Sequence, residues 1–196
     1  MKQQREQALV EAERAVALEP NNADMYVVQG DILRFVGRLE EALQSLAQAM
    51  RLNPHAPAWY SLNLGRVYFY MGRYAEAITA LKAAILRNPQ YTEAYIFLAN
   101  TYVVQWTAQL SHDPQALAQA LAAAQKAVAL NDSLLFAHAV LGRVYLWQKQ
   151  YERALAELER AALEPRPGTA ATTMAGLADG LSRVGRPEEA LAFAPG

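Results

Sequence analysis

The 196-residue chain contains no cysteine, no long apolar run and almost no net charge. Without cysteine there is no disulfide framework, no thiolate nucleophile and no thiolate metal ligand. Lys and Arg number 18 against 19 Asp and Glu, a formal charge of −1 with no Lys/Arg run. The basic footprint of a nucleic-acid binder is therefore missing, and no nucleic-acid partner is expected. No apolar stretch approaches the roughly 20 residues that cross a bilayer. Residues 1–20 are polar and charged, with no basic head followed by an apolar segment, so the expectation is a cytoplasmic protein without membrane insertion.

Catalytic constellations are equally scarce. The histidines His55, His112 and His138 fall in a loop, an insertion and a helix, and no glycine-rich phosphate loop occurs. His112-Asp113 lacks further ligands, and Glu40-Glu41 and Glu188-Glu189 read as first-turn charges favoured by the helix dipole. The expectation is a non-enzyme with no catalytic residues, cofactor or metal.

What the chain does have is repetition. GRVYFYMGRYAEA, Gly65 to Ala77, returns as GRVYLWQKQYERA, Gly142 to Ala154, with weaker copies from Gly30 to Ala42 and from Ala178 to Ala190. The small residue opening each copy falls at Gly30, Gly65, Ala99, Gly142 and Ala178, steps of 35, 34, 43 and 36 residues. A period of about 34 residues is that of helix–turn–helix solenoids. The fold expected is all-α: a right-handed α-solenoid of antiparallel helix pairs.

Each repeat reads as two helices. In the second, Ala58 to Met71 is helical by its apolar spacing, Gly72-Arg73 breaks it, and Tyr74 to Arg87 resumes before Asn88-Pro89. Proline closes repeats at Pro20, Pro54, Pro89 and Pro165, where it cannot continue a helix. After Ala127, Asn131-Asp132 stands in, with Asp132 or Ser133 as the expected cap of the next helix. Gly30, Gly65 and Gly142 allow helix backbones to approach closely, while Leu33, Tyr68, Tyr102 and Tyr145 fill the adjoining space. The pairs Ala42/Ala49, Ala77/Ala84, Ala120/Ala127 and Ala154/Ala161 place two methyls on one face of each second helix.

Residues 1–22 read as a second helix alone, followed by units at 23–57, 58–91, 92–134 and 135–167 and a partial unit at 168–196. The whole is one array, expected to be a piece of a longer protein or an array with unusual ends. The third unit carries about nine extra residues near Gln105 to Pro114, where Asp113-Pro114 reads as an N-cap and first helical position.

Leu64-Gly65, Tyr68, Gly72-x-Tyr74, Ala77, Ala84 and Pro89 together resemble the signature of the tetratricopeptide repeat (TPR) family. The likeness covers nearly the whole chain and is sharpest in the second unit. Tyr26 and His138 stand where the family often has an aromatic residue, and Lys149 replaces the turn glycine. Ala49 to Tyr60 and Ala129 to Trp147 also look like bacterial tandem TPR modules, some of which accompany class III nucleotide cyclase domains. No cyclase sequence is present in this chain.

The resemblance implies that the first helix of each unit lines a concave surface where peptides dock. Helical spacing then selects the stripe away from the Gly/Tyr packing face. In the first unit it holds Asp24, Val27, Asp31, Arg34 and Phe35. The second presents Trp59, Leu62, Asn63, Arg66, Phe69 and Tyr70. In the third it runs Glu93, Ile96, Phe97, Asn100, Val103 and Val104, and in the fourth Phe136, Ala139, Val140, Arg143, Leu146 and Trp147. Arg66, Asn100 and Arg143 form a polar ladder among aromatics, and Trp, Tyr and Arg are the types that most often dominate binding energy. The competing reading of the same aromatics is packing against neighbouring loops, above all for Trp59 and Phe136 near helix starts.

Some relatives hold a terminal carboxylate with paired Lys and Asn. Here Val27, Asp31, Glu93 and Phe97 occupy the matching places, although Asn63 fits, so that clamp is not expected. Arg66 and Arg143 suit an apolar peptide bearing one or two carboxylates, because a guanidinium pairs bidentately with a carboxylate. The function expected is a non-catalytic protein- or peptide-binding scaffold. The alternative is a structural or self-assembly module, a homo-oligomer through exposed solenoid ends, within a larger signalling protein.

Overall fold

Three of the turns begin Gly-Arg, and the backbone there explains the choice. Gly37, Gly72 and Gly185 have φ of 84°, 74° and 81°, the left-handed region that a Cβ disfavours. The next amide then closes the preceding helix: Arg38 donates to the Leu33 carbonyl, Arg73 to Tyr68 and Arg186 to Leu181, each at 2.9 Å. The arginine side chain bonds a glutamate in the first turn of the following helix, as Arg38 to Glu41, Arg73 to Glu76 and Arg186 to Glu189. Lys149 fills the same place at φ 61°, with the Gln150 amide on the Tyr145 carbonyl at 2.9 Å. The turn is retained although its glycine is not.

The structure, a computed structural model, describes residues 2–108, 114–163 and 170–193. The expectations placed on His112, Asp113 and Pro165 lie outside the described residues. No strand occurs among the described residues. The all-α expectation holds, and the chain divides into two compact units, Met1–Ala94 and Tyr95–Gly196.

The first unit contains α1 (Lys2–Leu18), α2 (Ala23–Phe35), α3 (Leu39–Leu52), α4 (Ala58–Tyr70) and α5 (Tyr74–Arg87), and the start of α6 (Thr92–Thr107). Helix α2 packs against α1, α3 and α4, and α4 also packs against α3 and α5. Val27, Leu33, Leu46, Tyr60 and Val67 form its core. The Tyr60 hydroxyl donates to Asp24 and ties α4 to α2. Burial, and then the Asp24 carboxylate, push that hydroxyl up to about 12, so the donor keeps its proton.

The second unit holds the rest of α6, then α7 (Pro114–Leu130), α8 (Leu135–Trp147), α9 (Tyr151–Ala161), α10 (Ala170–Arg183), α11 (Pro187–Ala190) and a 3-10 turn, Leu191–Phe193. Helix α8 packs against α7, α9 and α10, over a core that includes Leu155, Leu158, Leu177 and Leu181. The expected cap of α8 is corrected. Leu134 is its N-cap and makes no side-chain bond, while Asn131 Oδ1 accepts the Ser133 amide at 3.1 Å. The Asp132 carbonyl lies 2.8 Å from Nε2 of the buried His138, whose Nδ1 is 2.5 Å from Glu157 Oε2. His138 thus joins α8, α9 and the loop between α7 and α8 instead of serving as an apolar filler.

The opening glycine of each repeat is a contact point. A Cβ on Gly30 would lie 3.0 Å from Leu46 Cγ, on Gly65 2.7 Å from Leu81 Cγ, and on Gly142 2.6 Å from Leu158 Cγ. In all three the leucine follows the glycine by the same interval and is essentially fully buried. Gly65→Leu should therefore lower the unfolding free energy by about 3 kcal/mol through overpacking. Unchanged urea denaturation would show that this contact is not tight. Lys149→Gly, which relieves a left-handed lysine, should raise stability by about 1 kcal/mol in the same assay.

Candidate functional site

The residues after the five opening small residues are Asp31, Arg66, Asn100, Arg143 and Asp179. One helical step turns the chain by about 100°, so burying the glycine face commits this next position to an adjoining face. The first unit contains Asp31 and Arg66 from this column, and the second Asn100, Arg143 and Asp179, the last paired with Arg183 at 2.8 Å.

In the first unit, Asp31 Oδ1 accepts from Arg34 Nε at 3.1 Å and Nη2 at 2.6 Å, and lies 3.4 Å from Arg66 Nη1. One carboxylate oxygen therefore serves two guanidinium groups. Arg34 is buried, with its guanidinium 4.0 Å from the Phe35 ring and 5.2 Å from the Tyr70 ring. Arg66 Nη1 also lies 3.4 Å from Asn63 Oδ1, and Asn63 Nδ2 donates to the Trp59 carbonyl at 3.0 Å. Burial, followed by repulsion from Arg34, holds the Arg66 guanidinium below its usual pKa, and Asp31 opposes that shift. Phe35 and Tyr70 remain 52% and 53% exposed. Trp59, Tyr91, His55 and Arg87 stand around an open depression of about 690 Å³.

In the second unit, Arg143 Nη1 donates to Asn100 Oδ1 at 2.9 Å. Its partner is a neutral amide, and no carboxylate pairs with Arg143 among the described residues. Burial alone lowers its pKa, which marks a cation removed from water without a countercharge beside it. Phe136 meets Phe97 edge to face at 6.4 Å and 67°. Trp147, one helical turn beyond Arg143, is 50% exposed.

The stripe drawn from spacing is thus divided by depth. Leu62, Ile96, Val103 and Ala139 are buried in the packed helices, as are Asn63 and Asn100 to a lesser degree. They support the surface and do not form it. Phe69 is half-buried and meets Tyr74 of α5 at 6.0 Å. Trp59 and Phe136 are half-buried, whereas Tyr70 and Trp147 are exposed. Arg66 and Arg143 are both half-buried and held by neighbouring acceptors. Spacing also assigned Arg34 to the open stripe, yet it is a buried structural residue. Its available signal was Asp31 three residues earlier, a spacing that makes helical ion pairs.

His138 and Glu157 have the separation of an acid–base pair, but His138 has no exposed surface and no substrate can reach it. No group of three or more His, Cys, Asp or Glu capable of holding a metal occurs among the described residues. No helix among them is long and apolar enough to cross a membrane.

The family model described as tetratricopeptide repeat matches residues 21–86. The BBSome complex member BBS4 homolog of Drosophila melanogaster is 31% identical over 149 residues, which are 75% of this chain and 30% of that protein. The chain thus spans less than a third of that relative's length. A thermophilic TPR protein of Thermus thermophilus is similar in structure, with a TM-score of 0.73 and 27% identity over 87% of each chain. YrrB, a TPR protein with an unusual peptide-binding site, has a TM-score of 0.63 and 20% identity over 93% of this chain and 88% of its own, a likeness of fold alone. Together these matches support the TPR family and its α-solenoid fold. They lend no support to a link with class III cyclase domains.

The assignment of Arg34 to the interior carries a test. Arg34→Ala removes its bonds to Asp31 and its cover over Phe35, and should lower the unfolding free energy by about 2 kcal/mol. Unaltered thermal unfolding would return Arg34 to the open surface.

Proposed function

We propose that the chain is a non-catalytic scaffold that binds a protein or peptide segment, apolar with acidic groups, along the first-helix stripe. TPR proteins act as protein-interaction scaffolds, and YrrB bears a peptide-binding site by its own description. The observation that carries the reading is Arg143, a half-buried guanidinium satisfied only in part by the Asn100 amide and followed one turn later by an exposed tryptophan. A guanidinium retains several N–H donors after one bond to an amide, in the fork geometry that a carboxylate fits. An aromatic surface beside it accepts an apolar neighbour at low entropic cost.

A second reading, self-association, is favoured by a different feature. Val10 and Leu18 of α1 are exposed, and Arg5, Ala8, Ile32, Phe35 and Val36 line a nearby depression of about 370 Å³. A second copy seated there would make the mass rise with concentration in sedimentation.

Selection from a displayed random-peptide library separates the two readings. The native chain should enrich peptides with Asp or Glu beside aromatic or aliphatic residues, and Arg143→Gln should lose that enrichment while keeping its helical circular dichroism. Enrichment of basic peptides, or equal enrichment by the variant, contradicts the proposal.

A further inference from the structure

Helix α5 carries a strip of small and apolar side chains on the side away from its core. Ala77, Leu81 and Ala84 point inward and have no exposed surface. Each residue turns the helix by about 100°, so Ala75, Thr79 and Leu86 fall on the opposite side, with Ala83 next to them. Leu86 is 83% exposed. Alongside the strip runs an open groove of about 540 Å³, which Met50, Leu64, Tyr68, Thr79 and Ala83 help to line. The fold does not require this strip. Helix α3, whose Ala42 matches Ala77, has Glu40, Gln44, Gln48 and Arg51 at the places of Ala75, Thr79, Ala83 and Leu86.

Glu76 and Arg87 also line the groove, toward opposite ends of α5, about 16 Å apart along the helix axis. Both are outside the core. Arg73 donates to Glu76 Oε1 at 2.9 Å, which holds that carboxyl below the usual range and keeps it ionised. A carboxylate has lone pairs for further donors. Arg87 Nη1 lies 3.5 Å from Ser61 Oγ, a long contact for a group with five N–H donors.

An acid at one end of a helix face and a base at the other match a second copy of that face laid antiparallel. Glu76 of each copy then stands opposite Arg87 of the other. The same register drops Leu86 of one copy between Ala75 and Thr79 of the other, where small side chains leave a recess, and sets Ala83 beside Thr79. Lys82 falls near the twofold axis at the other edge of the strip, and its long stem carries the ammonium out to water.

We propose that the outward face of α5 is a self-complementary dimer surface, with Leu86 of each copy seated in the recess of the other and two Glu76–Arg87 pairs fixing the antiparallel register. The occupant is a second copy of this chain. Such a contact is isologous and closes at two copies. It goes beyond the scaffold reading, uses none of the positions of the peptide stripe, and differs from association through α1.

Sedimentation equilibrium of the full chain, from about 1 μM to about 1 mM, tests it. The mass should rise from 21.6 kDa toward twice that value and stop there. Leu86→Glu should weaken the dimer about tenfold or more. Glu76→Arg and Arg87→Glu should each weaken it about fivefold, and the chain carrying both exchanges should return to near-native association. All four variants change residues outside the core, so each should keep the native helical circular dichroism.

A single-chain mass at every concentration overturns the inference, as does growth beyond two copies. A dimer indifferent to Leu86→Glu, or one that the paired charge exchange does not restore, places the contact elsewhere and overturns it too. None of these results alters peptide selection by the first-helix stripe, so the two readings fail separately.

Discussion

Contact between an opening glycine and a buried leucine of the following helix sets the geometry of each complete pair. Gly30 against Leu46, Gly65 against Leu81 and Gly142 against Leu158 leave no space for even a methyl group without displacement. This one close approach fixes the rotation of the first helix about its axis. Once that rotation is fixed, the identity of the outward residues is fixed as well, because neighbouring positions are separated by about 100°. The column Asp31, Arg66, Asn100 and Arg143 owes its placement to the glycines and the alanine that precede its members.

The column also shows how a solenoid manages half-buried charge. A guanidinium drawn out of water needs an acceptor, and the two units supply different ones. Asp31 neutralises part of the charge of two arginines and ties them into the first unit. Asn100 orients Arg143 without neutralising it. The first arrangement contributes cohesion, whereas the second leaves the charge of Arg143 without a carboxylate beside it among the described residues. A repeat array can therefore surround the same position with a carboxylate in one copy and an amide in another.

Much of the fold was legible from the sequence because repetition exposes backbone requirements. The period, the Gly-Arg turns and the boundaries of the second repeat's helices follow from glycine, proline and apolar spacing. Lys149 was legible as a missing glycine, and its positive φ shows that the tertiary contacts on either side impose the turn. The site was less legible. Spacing identifies a face but not the depth of residues on it, so Leu62, Ile96, Val103 and Ala139 were grouped with exposed neighbours although packed helices cover them. Arg34 was misplaced for the same reason. The role of His138 was hidden because its partner Glu157 lies on the next helix, and no local pattern joins them. Charge type at the ladder position was visible throughout, but its meaning required distances.

The most direct test of the central claim is site-specific photo-crosslinking in lysate of the organism that makes the protein. A crosslinking residue is placed on the first-helix stripe at Tyr70 or Trp147, and on second helices at the exposed Leu86 or Arg153. The account predicts that a partner protein is captured from the stripe positions, and that an excess of an acidic, aromatic peptide suppresses the capture. Capture from Leu86 or Arg153 alone, or only of further copies of this chain from every position, would contradict it.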